Sequence, residues 1–133
     1  MKNKLVLEDD QYCFVCGKQN PGGLNLGFSF RDNKVFTEFT LRKTFQGYKD
    51  VVHGGIIAAL LDEAMIKAAL ALGIYAVTAE LTVRFRSPLF TDEKALVEAE
   101  VVKTGKRLIE TAAHIEGHSG HMIAEGKGKL VVT

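Results

Sequence analysis

The sequence predicts an α+β fold in which an antiparallel sheet packs on one long helix. Three features carry that prediction. A single long apolar segment of helix-forming residues lies mid-chain, two alternating stretches precede it, and four more, joined largely by short turns, follow it. Apolar residues make up 47% of the 133 and charged residues 25%, enough for one domain, residues 1–133, to bury a real core. A formal net charge of +1 gives no reason to invoke nucleic acid.

Residues 1–23 read as an irregular lead segment with a turn at Asn20-Pro21-Gly22-Gly23. Lys2 and Lys4 are followed by only Leu5-Val6-Leu7 before the acids Glu8, Asp9 and Asp10, no apolar run of signal-peptide length, so cytoplasmic residence is the default expectation. Cys13 and Cys16 have half-site spacing for zinc, but His53, His114, His118 and His121 lie far from the compact finger pattern. A redox pair would need the motif to open a helix after a strand, which Gly17 to Gly23 disfavours. The two cysteines are therefore read as reduced and packed on the domain, with no metal assigned.

Leu24, Leu26, Phe28 and Phe30 alternate with polar or small residues, and Asp32-Asn33 turns the chain into Val35, Thr37, Phe39 and Leu41. That is a first hairpin. The loop from Arg42 to Val52 then delivers the chain to the helix, a good place for ligand contacts.

The helix is expected at about 54–72, entered through Gly54-Gly55 and closed by Gly73. Its apolar residues, from Ile56 and Ile57 to Leu70, cover most of the circumference, as in a helix wrapped by other structure. Asp62, Glu63 and Lys67 interrupt it too soon for a membrane span. Glu63 and Lys67 suit an exposed i, i+4 pair. Asp62 lies about 100° further round the helix and has no basic residue at 58, 59, 65 or 66. A desolvated carboxylate without a partner is costly, so Asp62 is either on the exposed strip or functional.

The helix entrance offers free backbone N–H groups and a partial positive charge, which suit an oxyanion. The two glycines either admit a ligand to those groups or only make a tight turn with His53 as a mediocre cap. Asp62 lies about 12 Å along the axis from Gly54, too far to act on an atom held at the same helix start. A site using both needs a second copy.

After the helix, Val77, Ala79, Leu81, Val83 and Phe85 alternate with Thr78, Glu80, Thr82, Arg84 and Arg86 in one strand ended by Ser87-Pro88. Residues 94–103, 106–116 and 121–132 give three further strands, with turns at Thr104-Gly105 and from Gly117 to Gly120. The basic groups along them, such as Lys127 and Lys129, read as solvated faces. His114, His118 and His121 read as surface residues.

Taken together, His53-Gly54-Gly55, the apolar helix and Asp62 nine residues after the His resemble the helix signature of the hotdog-fold acyl-CoA thioesterases, most closely the phenylacetyl-CoA thioesterase-like branch. Phe45-Gln46-Gly47, the strand from Val77 to Pro88 and the lead-in Cys13-Phe14-Val15-Cys16-Gly17 extend the likeness to nearly the whole chain. The resemblance implies a hotdog fold, with the sheet wrapped around the central helix, and hydrolysis of an acyl-CoA without cofactor or metal. It implies that Gly54 and Gly55 form an oxyanion hole and that Asp62 of a partner subunit acts as nucleophile or general base. Gln46, Gly47, His53 and Thr78 would line the substrate site. It further implies a homodimer, pairing into a homotetramer, with sites at the subunit interface. The alternative on the same fold is a non-catalytic acyl-CoA binding or sensing module, which would be expected to lack the carboxylate. A hydratase would need its His about a turn after the Asp, whereas His53 precedes Asp62.

Overall fold

The computed structural model describes residues 5–133, so Lys2 and Lys4 of the lead segment lie outside the described residues. The elements are β1 (Ser29–Arg31), β2 (Lys34–Thr40), a single 3₁₀ turn (Lys43–Phe45), α1 (Gly54–Ala71), β3 (Ala76–Phe85), β4 (Lys94–Thr104), β5 (Leu108–Gly117) and β6 (Met122–Val132). The six strands form one antiparallel sheet in the order β1-β2-β4-β5-β6-β3. Helix α1 packs across its face, touching β2 to β6. No helix among the described residues is long and apolar enough to cross a membrane.

The first hairpin is shorter than its alternation suggests. The N–H groups of Leu24 and Leu26 donate to the carbonyls of Phe14 (2.8 Å) and Val15 (2.9 Å), so this stretch pairs with the lead segment and only Ser29–Arg31 joins the sheet. Asp32 and Asn33 both adopt positive φ (54° and 63°), the conformation a two-residue turn between twisted strands demands.

Helix α1 buries Ile57, Leu60, Leu61, Ala64, Met65, Ala68 and Ala69. The described residues cover that one face only; Ile56, Ala59 and Ile66 are half-buried and Leu70 is exposed. The all-round wrapping expected from its composition is therefore absent among the described residues of a single chain. Two glycines of β6 let the helix sit close. A Cβ at Gly128 would lie 3.0 Å from the Met65 Sδ and 2.9 Å from the Thr111 hydroxyl, and one at Gly126 would lie 3.4 Å from a Leu61 methyl. Cutting fully buried Leu61 back to Ala would cost about 2–5 kcal/mol. The helix ends where Gly73 turns left-handed (φ +79°) and donates to the Leu70 carbonyl.

Strand β3 forms one edge of the sheet and departs from strict alternation. A bulge between Thr78 and Glu80 slips its register against β6 by one residue. Thr78 sits opposite buried Leu130, and Leu81 and Val83 sit opposite Gly128 and Gly126, so all three face the helix. Without the bulge, Thr78 would point to the other side of the sheet from Leu81.

Candidate active site

The loop ahead of α1 is tied down at several points. The Gly47 N–H donates to the Val51 carbonyl (2.8 Å), the Val52 N–H to that of Leu89 (2.8 Å), and the His53 N–H to that of Phe45 (2.9 Å). Gln46 uses its side-chain oxygen to accept from the Asp50 N–H (3.0 Å), holding the turn in which Asp50 has positive φ. The chain thus reaches His53 in an extended conformation that caps the helix. An open hollow of about 410 Å³ lies here, lined by Gly47, Tyr48, Val51, Val52, His53 and Gly54.

The two entrance glycines differ. The Gly55 N–H donates to His53 Nδ1 (2.8 Å), and a Cβ on Gly55 would press on that nitrogen at 3.0 Å. Gly55 is therefore committed to the cap, which leaves the proton of the neutral imidazole on Nε2. The Gly54 N–H has no protein acceptor among the described residues. A Cβ on Gly54 would meet only the edge of the Phe85 ring at an ordinary 3.6 Å, and its φ is not positive. Nothing among the described residues requires glycine at position 54, whereas a ligand approaching its N–H would.

Asp62 occupies the middle of α1, half-buried, and its Oδ1 accepts from the Thr78 hydroxyl at 2.5 Å. No ion pair among the described residues includes Asp62. The fold thus gathers Gln46, Gly47, His53, Gly54 and Gly55 around the helix entrance, and joins Asp62 to Thr78 beneath β3. It keeps the two groups about 12 Å apart along a continuous helix. Phe85, beside Gly54, reads from the sequence only as a residue of the alternating strand and not of the site; its place in the same strand as Thr78 is the available signal.

Glu63 differs from its expected exposed position. It does pair with Lys67 (3.7 Å), but their side chains are only 16% and 24% exposed, beneath the lead segment. Cys13 and Cys16 are free thiols whose Sγ atoms come within 4.8 Å of each other and of a Glu63 oxygen. Burial, and then the neighbouring Glu63, push the Cys16 thiol up to about 12, so it is no nucleophile at neutral pH. Of the other histidines, His114 contacts Glu116 (3.0 Å), and His118 and His121 approach Glu93 (3.5 and 3.8 Å) on the hairpin side of the sheet.

The model of the thioesterase superfamily matches residues 49–124, a span that contains the helix entrance, α1 and the strand bearing Thr78. The chain is 28% identical over 97 residues to acyl-coenzyme A thioesterase 13 of Homo sapiens, an overlap covering 71% of this chain and 69% of that protein. In structure it is similar to a hypothetical thioesterase from Streptococcus pneumoniae TIGR4 solved with coenzyme A, with a TM-score of 0.77, 19% identity, and coverage of 80% of this chain and 87% of that one. It is likewise similar to the E. coli PaaI protein from the phenylacetic acid degradation operon, with a TM-score of 0.75, 22% identity, and coverage of 80% and 78%. At these identities the structural likeness speaks to the fold alone, the hotdog fold. Because the superfamily match spans more than half of the sequence, the chain belongs to the thioesterase superfamily and is a thioester hydrolase.

Proposed function

We propose that this protein hydrolyses acyl-CoA thioesters to the free acid and CoA at sites shared between two subunits. The observation that carries this reading is the divided site: among the described residues the Gly54 N–H has no acceptor, and the Asp62 carboxylate, about 12 Å away, has no cation and is held by Thr78. Neither half can hydrolyse a thioester alone.

The edge strand supports a way to join them. Strand β3 spans ten residues, Val77 and Phe85 on it are exposed, and its outward backbone groups have no strand partner among the described residues. Two such strands pairing antiparallel, with Thr78 opposite the partner subunit's Phe85, would bring the partner's Asp62 toward Gly54, because Phe85 abuts Gly54 and Thr78 holds Asp62. The resulting dimer is isologous, with two equivalent sites. Further pairing into a tetramer follows from the family resemblance.

In this site the Gly54 N–H, backed by the positive end of α1, receives the thioester carbonyl oxygen and stabilises the oxyanion. Gly55 contributes by locking His53, whose Nε2–H and neighbours Gln46 and Gly47 border the acyl-CoA. Asp62 either attacks the carbonyl carbon or takes a proton from the water that does. In both cases the C–S bond breaks, the thiolate of CoA leaves and collects a proton, and one water is consumed. Thr78 positions the carboxylate. The CoA moiety is inferred from the similarity to acyl-coenzyme A thioesterase 13 and from the coenzyme A in the pneumococcal structure.

The test is release of free thiol from acetyl-, hexanoyl-, palmitoyl-, phenylacetyl- and benzoyl-CoA, with Asp62→Ala alongside. Turnover that collapses in a folded, oligomeric variant supports the reading and ranks the acyl groups. Binding without turnover by the wild-type protein would favour the non-catalytic module, and equal rates for both proteins would remove Asp62 from the chemistry.

A further inference from the structure

We propose that Cys13, Cys16 and Glu63 form a binding site for a zinc ion that clamps the lead segment onto α1. Finger-type spacing does not reveal such a site, because the third ligand is a carboxylate of a distant helix rather than a histidine. The two Sγ atoms and a Glu63 oxygen lie within 4.8 Å of one another. A tetrahedral zinc with bonds of about 2.0–2.3 Å sets its ligand atoms roughly 3.5–3.8 Å apart, so closure needs shifts of at most about an ångström.

The backbone around the cysteines independently suits a metal-bound thiolate. The N–H groups of Val15 and Cys16 both donate to the Cys13 Sγ at 3.4 Å, and the Gly17 N–H donates to the Cys13 carbonyl at 2.9 Å. A thiol is a weak acceptor, whereas two amide donors converging on one sulfur suit a thiolate. A Cβ at Gly17 would collide with the backbone N and O of Cys13, so the tight knuckle admits only glycine there.

Charge also closes. Zinc, two thiolates and one carboxylate sum to minus one, and the Lys67 ammonium, 3.7 Å from Glu63, neutralises it. Binding exchanges one zinc ion for two thiol protons, so the half-buried cluster is neutral with or without the metal. Three protein ligands leave a fourth position for water. The clamp would fix the lead segment over the turn of α1 that carries Asp62, the residue preceding Glu63.

The test uses the full chain, reduced, stripped with a chelator and titrated with cobalt(II), then zinc(II). One equivalent of cobalt should give tetrahedral visible bands and a near-ultraviolet thiolate-to-cobalt band, and zinc should bleach them. The double variant Cys13→Ser/Cys16→Ser should lose the signal. Glu63→Gln should weaken binding at least about tenfold. A cobalt spectrum without the thiolate band, no stoichiometric binding at micromolar metal, or unchanged affinity in Glu63→Gln overturns the site. Should the double variant fail to fold, the wild-type spectrum and Glu63→Gln still decide. Because metal content and absorption are the readouts, neither result depends on thioester turnover.

Discussion

Asp62 and Glu63 are adjacent carboxylates on one helix, yet they face different chemistry. Asp62 turns to the sheet edge, where its partner is a neutral hydroxyl, Thr78. Glu63 turns to the lead segment, where it meets an ammonium and two thiols. A 100° step on the helix separates a carboxylate left with unspent charge from one whose charge is balanced. Unspent charge beside an open edge can do chemistry, whereas balanced charge holds structure together.

The sharpest way to break this contrast is to neutralise each carboxylate without changing its shape. Asp62→Asn should lower kcat by about a thousandfold, the scale of a lost base or nucleophile, while leaving the fold intact. Comparable losses in Asp62→Asn and Glu63→Gln would erase the distinction. A mixing experiment sharpens it next. Asp62→Ala and Gly54→Val, each inactive alone, should regain about a quarter of wild-type activity when their subunits exchange, since half the dimers are mixed and carry one intact site of two. No recovery after verified exchange would rule out a site split between subunits. Thr78→Val, which removes the hydroxyl on Asp62, should slow turnover about tenfold and destabilise the protein by about 1 kcal/mol in denaturant titration. The smallest effect on turnover is expected for Glu63→Gln in metal-free protein: activity within about twofold, although Lys67, left half-buried without its carboxylate, should cost about 1–3 kcal/mol of stability. A larger activity loss would place Glu63 in the thioester chemistry.

Much of this contrast was legible in the sequence. The length and caps of the helix, and the lack of any basic residue within a turn of Asp62, are local facts that a linear reading captures. The Glu63–Lys67 pair was also legible, but its burial was not, because the covering cysteines come from the far end of the chain and periodicity carries no long-range contacts. For the same reason the stretch from Leu24 to Phe28 read as strand although its N–H groups go to the lead segment. The different duties of Gly54 and Gly55 were hidden too, since they depend on which way the His53 ring turns. The strand from Val77 to Phe85 read as one unbroken alternation because nothing in Thr78-Ala79-Glu80 signals a bulge.

That bulge makes the strand sensitive to length as well as composition. Between Thr78 and Leu81 the chain uses one residue more than a regular strand needs to keep both on the helix side. Deleting Ala79 would remove no contact that the site uses, yet it would force a choice. Either Thr78 turns away from Asp62, or Leu81, Val83 and Phe85 turn away from the helix. Substitutions at Ala79, an exposed residue, should pass almost unnoticed by comparison. At this bulge a change of length should cost more function than a change of side chain at position 79.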